Sequence, residues 1–398
     1  MHLLEKDGRR RFIKLSRDAK NRVLGLLLLA ALSAVLILIV GLVRGRKGIT
    51  SKESSDGTTV RDFAMGSTFT VTLYGDKEER GTASAEVVER VKELDTKVIS
   101  WRSGDSELAR WNRDASTEDD PEQYPVSSTL YQAVYQGNRL SEICGRSLDL
   151  TLRPVLDVWG IEDADPDTFR VPSDQELQAA AGHTGMHQLA FRDNVIGRGE
   201  KDITLDLGAI GKGYALDMAY QYLTRVDPDR KKVLYNPEAL KDCSITGGVI
   251  AVGGSVMVFG SKPDGTDFQV GVRDPDGQPE DLMGVISIPS GAGKTCISTS
   301  GGYEKYIEKD GVRYHHIIDP GTLKPAESGL KSVTVVCGED TGVYGGLISD
   351  GLSTACFIMG ETWALGFLEQ CRAEGVMIRD DGSVLVTEGL KDRFSTSY

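Results

Sequence analysis

The sequence predicts an α+β fold: a single compact domain of mixed strands and helices behind one N-terminal transmembrane helix. Strand-like and helix-like segments are interspersed, but without the regular alternation of a doubly wound parallel sheet. Val23 to Val43 runs 21 residues without a charge. At ~1.5 Å per residue that is roughly 30 Å of helix, the thickness of a bilayer's hydrocarbon core. The composition is otherwise globular, 40% hydrophobic and 26% charged, and 398 residues suffice to bury a large core.

The elements follow in order. Residues 1–22 carry eight Lys or Arg, whereas only Arg44, Arg46, Lys47 and Lys52 follow the apolar run closely. This asymmetry places residues 1–22 in the cytoplasm, the 23–43 helix in the cell membrane as a single pass, and the rest outside the cytoplasm. The run is long for a cleaved signal peptide, its exit is a poor small-residue cleavage site, and no Cys follows it directly to take a lipid. Residues 44–60 are polar and read as a linker, and 61–398 form the globular domain. A turn at Met65-Gly66-Ser67 precedes a strand over Phe69 to Tyr74. Helical spacing of Val87, Val88, Val91 and Leu94 predicts a helix from Ala83 to Val98, then a short one over Ser103 to Trp111. Asp114 to Asp120 is a charged loop and Leu130 to Cys144 an amphipathic helix. Ser173 with Glu176 three residues on marks another helix start. Ile203 to Leu207 alternates like a half-buried strand, Tyr214 to Leu223 is helical, and Asp227 to Lys241 reads as a polar surface insertion. Strands are expected over Val249 to Phe259, Phe268 to Val272, Val285 to Pro289, Arg313 to Ile318 and Lys331 to Val336. A helix over Leu347 to Met359 and a hairpin over Val376 to Leu385 complete the chain.

Several partners are excluded. The net charge is −13, and no basic face exists outside the N-terminus, so nucleic acid is not a partner. Six cysteines form no CxxC, which leaves zinc and redox motifs without support; Cys337 and Cys356 sit in apolar core-like stretches. Gly291-Ala292-Gly293-Lys294-Thr295 ends like a phosphate-binding loop, but the first glycine of that pattern would fall at Ile288.

What remains is a constellation. In Asp206-Leu207-Gly208-Ala209-Ile210-Gly211-Lys212-Gly213, a Gly-rich turn between strand and helix would present backbone N–H groups to an anion, with Lys212 adding positive charge. Asp350 and Thr354 are four apart and share a helix face, which suits a cap or a Mg²⁺ site equally. His315 and His316 would point to opposite faces of a strand, so at most one is catalytic.

In order along the chain, these segments resemble the ApbE family, the FAD:protein FMN transferases. The resemblance runs through Met65-Gly66-Ser67, Ser100-Trp101-Arg102, Leu148-Asp149-Leu150-Thr151, the Asp206 to Ala215 turn and Gly253-Gly254. It continues in Arg273-Asp274-Pro275, Thr299-Ser300-Gly301, His316-Ile317-Ile318-Asp319-Pro320 and Asp350 with Thr354-Ala355. It implies Mg²⁺-dependent transfer of FMN from FAD to a Ser or Thr hydroxyl of an extracytoplasmic acceptor flavoprotein, with release of AMP. It also implies roles: His316 as the base; Ala209 (by its carbonyl), Asp350 and Thr354 as metal ligands; Met65, Trp101, Leu148, Asp149, Asp206, Lys212 and Ile318 around the FAD, Trp101 offering a flat face to a ring. Gly211 stands where the family usually has Ala, and the membrane helix replaces the usual lipid anchor. Hydrolysis of FAD to free FMN and AMP, or flavin carriage without turnover, are the alternative readings.

Overall fold

Alternating Val, Ile and Thr in short runs separated by Gly-containing turns favour antiparallel pairing, and the computed structural model is built on it. The structure describes residues 50–53, 56–114, 124–200, 202–225, 233–238 and 243–397. The expected membrane helix 23–43 and the segment before it lie outside these, as does most of the 227–241 insertion; among the described residues no helix is long and apolar enough to cross a membrane.

The first half of the domain comprises β1 (Thr50–Glu53), β2 (Thr58–Ala64), β3 (Ser67–Gly75), α1 (Lys77–Glu93) with a π-helical turn to Ile99, α2 (Glu107–Asp114), α3 (Ser128–Ile143), α4 (Arg153–Trp159), α5 (Asp174–Ala181), β4 (Leu189–Arg192), β5 (Val195–Arg198) and α6 (Gly211–Thr224). Then come β6 (Ile245–Val252), β7 (Ser255–Gly260), β8 (Phe268–Arg273), β9 (Leu282–Ile288), β10 (Thr295–Gly301), β11 (Tyr306–Lys309), β12 (Val312–His315) and β13 (Leu330–Cys337). The chain closes with α7 (Gly345–Met359), α8 (Glu361–Gln370), β14 (Ala373–Arg379), β15 (Val384–Val386) and β16 (Phe394–Thr396). The architecture is α+β.

A nine-stranded sheet in the order β1-β2-β3-β6-β7-β10-β13-β14-β15 is antiparallel at every pairing. One face packs on the helices: Phe69, Val71 and Ile250 meet Val87, Leu216 and Leu352 in the main core. The other carries the small sheet β16-β9-β8, where Val258, Ile297 and Val376 meet Phe268, Val270 and Ile286. Central strands are therefore covered on both faces, which is why β13 is buried at every position but Lys331. The capping box at Ser173 and Glu176 is present.

Several segments differ from the sequence reading. Ile203 to Leu207 alternates in burial but is not a strand, because the Asn112 side chain takes the place of a neighbour: it accepts from Leu205 N–H at 2.8 Å and donates to the Leu205 carbonyl at 2.8 Å. Val249 to Phe259 is a hairpin folded at Gly253-Gly254, where Gly253 has φ +54°. In the supposed surface insertion, Leu234 and Tyr235 are core residues, each 1% exposed. The strand expected to reach Ile318 stops at His315. The sheet also begins early: β1 and the start of β2 fall in the segment read as a linker.

The helices α6 and α7 cross with their backbones in contact. A Cβ on Gly213 would lie 2.0 Å from the Gly346 carbonyl oxygen, and one on Gly346 would lie 2.3 Å from that of Gly213. Each helix caps the other. Asp217 of α6 accepts from Gly346 N–H at 2.9 Å and Leu347 N–H at 2.8 Å, and Asp350 of α7 accepts from Gly213 N–H at 2.9 Å. Gly211 is not so constrained, since its Cβ would meet only Ile99 and Met65 carbons at 3.6 Å. Gly213→Ala should therefore lose about 1–3 kcal/mol or more in urea unfolding, while Gly211→Ala stays within about 0.5 kcal/mol. Equal stability of the two variants would show that the helices do not meet this closely.

Candidate functional site

A cavity of about 780 Å³ is walled by the β2–β3 turn, the segment Ser147–Asp149, the loop entering α6, the β6–β7 turn, β10, the segment His316–Ile318 and Thr354 of α7. Of the residues singled out from sequence, Met65, Leu148, Asp149, Asp206, Ala209, Lys212, His316, Ile318 and Thr354 line it.

The wall is held from behind. Met65 and Gly66 form a two-residue hairpin loop with φ of +53° and +70°, the left-handed pair that a type I′ turn requires. For Met65 that conformation costs about 1–3 kcal/mol, offset in part by its N–H donating to Asp95 Oδ2 at 2.7 Å. The Asp149 carboxylate accepts from Thr151 N–H at 2.7 Å, and the Thr151 hydroxyl accepts from Gly185 N–H at 2.6 Å. Asp206 accepts from Gly208 N–H at 2.7 Å and faces Arg153 at 3.3 Å. Burial raises the pKa of both carboxyls above the ordinary range.

Trp101 and Asp350 are not on the wall. The Trp101 ring is stacked by the guanidinium of Arg153, 3.3 Å from its centroid, and by Arg102 at 4.3 Å. The flat face expected for a flavin or adenine is thus taken by arginine, and Trp101 connects to the cavity through Arg153 and Asp206. Asp350 is 2% exposed and lies behind Lys212, with the ammonium 4.0 Å from its Oδ1; Ser255 donates to the same oxygen at 3.1 Å. Burial raises its carboxyl pKa, opposed by Lys212 and the Gly213 N–H.

The Gly-rich turn is likewise corrected. Its N–H groups serve the chain's own acceptors: Gly208 donates to Asp206, Gly211 to the Leu207 carbonyl and Gly213 to Asp350. The anion at this helix N-terminus is the Asp350 carboxylate.

The adjacent histidines separate as their alternation requires. His315 donates from Nε2 to the Ala326 carbonyl at 3.0 Å and accepts at Nδ1 from Ile317 N–H at 3.3 Å, so both ring nitrogens are committed; it faces a second cavity of about 590 Å³. His316 lines the first cavity. Its Nδ1 lies 3.1 Å from the Lys305 carbonyl, which can only accept. The proton is therefore on Nδ1, and the lone pair is on Nε2. Enclosure, then the Lys305 and Lys212 charges, push its pKa down to about 4.

Thr354 completes the wall. Its hydroxyl lies 3.0 Å from Ser300 Oγ and 3.4 Å from the Asp350 carbonyl. No cluster of three or more His, Cys, Asp or Glu able to hold a metal occurs among the described residues. The candidate donors are the Thr354 hydroxyl and the Ala209 carbonyl from residues on the wall, and the buried Asp350 carboxylate behind it. All are hard oxygens, which fits Mg²⁺, a cation that takes few protein ligands.

Some site residues were not singled out. Glu162 and Lys305 line the cavity and pair at 2.8 Å, with Arg102 on the other carboxylate oxygen at 2.5 Å. Isolated charges so far apart in sequence leave no pattern to read.

Fold and site define an α+β protein with a composite cavity of about 780 Å³ that charged, polar and apolar residues line together. Comparison with known proteins places it further: the ApbE family profile matches residues 65–234 and 235–378, so the chain belongs to the ApbE family. It is 29% identical over 318 residues to the FAD:protein FMN transferase of Vibrio cholerae, covering 80% of this chain and 84% of that one. It is 30% identical over 308 residues to that of Treponema pallidum, 74% and 77% of the two chains. Among solved structures, the ApbE protein of Thermotoga maritima superposes with a TM-score of 0.70 at 28% identity, covering 85% of this chain and 99% of that one. The flavin transferase ApbE of Vibrio cholerae gives 0.66 at 26% identity, over 85% and 99%.

The His316 environment predicts a pH dependence. Unfolded, the imidazole has its ordinary pKa of 6.5, and folded about 4, so its contribution is intact above 6.5 and is lost as pH falls through that window. Relative to wild type, His316→Asn should gain stability between pH 7.5 and pH 5 in urea unfolding. Superimposable pH profiles would mean the ring is not held neutral.

Proposed function

We propose that this protein, a transferase of the ApbE family, moves FMN from FAD to a Ser or Thr hydroxyl of an acceptor protein outside the cytoplasm, releasing AMP, with Mg²⁺ as the required cation. The observation that carries the reading is His316: a neutral imidazole with Nδ1–H held by the chain and Nε2 left in the cavity that Lys212 and Thr354 also line. The acceptor oxygen attacks the FMN phosphorus, and its proton passes to Nε2. The bond from that phosphorus to the bridging oxygen breaks, and the oxygen leaves with AMP. Lys212 offers positive charge to the phosphates. Asp350, Thr354 and the Ala209 carbonyl would hold the Mg²⁺, which supplies charge neutralisation to the pyrophosphate when bound. Met65, Leu148, Asp149, Asp206 and Ile318 would line the FAD, with Trp101 acting at one remove through Arg153. The apolar run 23–43 with its basic N-terminal flank supports a membrane anchor with residues 44–398 outside.

The test is incubation with FAD, Mg²⁺ and an acceptor flavoprotein domain. Flavin fluorescence on the denatured acceptor with matching AMP release is expected, and EDTA or Asp350→Ala should abolish both. AMP release with only free FMN would make the protein a hydrolase; flavin binding with no AMP would make it a carrier. His316→Ala should lower the transfer rate ~10²–10⁴-fold with FAD affinity kept, whereas His315→Ala should act through stability. Equal rate losses in equally folded variants would remove His316 as the base.

A further inference from the structure

Of the charged groups that line the cavity and that the proposed chemistry does not use, Arg273 stands apart. Three cationic side chains line the cavity: Lys212, Lys305 and Arg273. Lys212 faces Asp350 at 4.0 Å and Lys305 pairs with Glu162 at 2.8 Å. Arg273 makes no ion pair among the described residues, and its Nε is buried without a hydrogen-bond partner. Its guanidinium lies instead on the ring of Tyr303, 5.0 Å from the centroid.

The backbone explains how it gets there. Arg273 ends β8, whose pairing with β9 shifts register between Val272 and Arg273. Burial alternates along the strand, so Arg273 shares the face of Gly271, away from the buried Phe268, Val270 and Val272. Val270, Gly271 and Arg273 all contribute to the cavity, so the small sheet is one of its walls. A buried guanidinium N–H without an acceptor is costly. The fork is planar, permanently charged and shaped to bind two oxygens of a phosphate. The aromatic ring beneath it restricts its rotation without neutralising it.

We infer that Arg273 is a substrate-binding residue that grips a phosphate oxygen of the dinucleotide from the wall opposite no carboxylate of its own, fixing the pyrophosphate in the cavity. The inference rests on FAD being the substrate. The anionic groups of FAD are its two phosphates, so Arg273 discriminates phosphate-bearing from phosphate-free flavins, and Tyr303 is the support that orients it.

The experiment compares FAD, ADP and riboflavin binding to the wild-type protein, Arg273→Gln and Arg273→Lys, each checked by thermal melting. Arg273→Gln should weaken FAD and ADP in parallel by about tenfold or more, the scale of a lost charged hydrogen bond, and leave riboflavin unchanged. Arg273→Lys, which keeps the charge and loses the fork, should fall between, and it carries the test alone if the Gln variant fails to fold. Unchanged FAD affinity in the folded variants, or an equal loss for riboflavin, would overturn the inference. Failure of the wild-type protein to bind FAD at all would instead overturn the functional reading.

Discussion

Two buried carboxylates, each on one helix and each capping the other's N-terminus, organise this protein. Asp217 and Asp350 are both at most 2% exposed, and ionised groups so placed are costly unless partnered. The partners are the otherwise orphan N–H groups of α6 and α7, whose dipoles favour negative charge at that end. The arrangement works only because Gly213 and Gly346 let the backbones touch. Burial still pushes Asp217 up to about 7, against the pull of Lys294 and the Leu347 and Gly346 amides. Lys294 itself is buried and donates to the Gly342 and Val343 carbonyls at 2.7 and 3.1 Å, tying down the loop that enters α7.

The cavity inherits its geometry from that crossing. Once α7 is fixed, its polar face meets β10 and β7 through hydroxyls: Ser298 to Ser349 at 2.9 Å, Ser300 to Ser353 at 2.7 Å, and Ser255 to Asp350 at 3.1 Å. Small hydroxyl side chains allow the helix to lie close to the sheet while satisfying each other. Thr354 is thereby set on the wall and Asp350 directly behind it, while the loop into α6 brings Ala209 and Lys212 to the same place. His316 comes from an unrelated part of the chain, held by the carbonyl of Lys305.

Much of this was legible in the residues. The Gly208, Gly211 and Gly213 pattern marked a turn that lines the cavity, the four-residue spacing placed Asp350 and Thr354 one turn apart on α7, and the His315-His316 alternation gave two separate environments. The purpose of the turn was not legible, because its anion is a carboxylate supplied 137 residues later. Asp217 left no mark, since an Asp within a helical run reads as solvated surface. β10 was missed because Thr295–Gly301 is largely Ser and Thr, facing hydroxyls rather than core, so no apolar alternation exists. Ile203 to Leu207 gave the opposite error: true alternation, but a side chain amide in place of a partner strand. Trp101 was assigned a ligand face that Arg153 occupies, a contact between a loop and the first turn of α4 that no local pattern encodes.

The central claim is that the two helix N-termini are locked by each other's carboxylates. Amides in the first turn of a helix lack intrahelical acceptors and ordinarily exchange with solvent quickly. Residue-resolved amide hydrogen exchange on the full chain therefore tests the lock directly. The account predicts that Gly213, Gly346 and Leu347 are protected to the level of the central sheet strands. Exchange at these positions at the rate of exposed helix ends would contradict it.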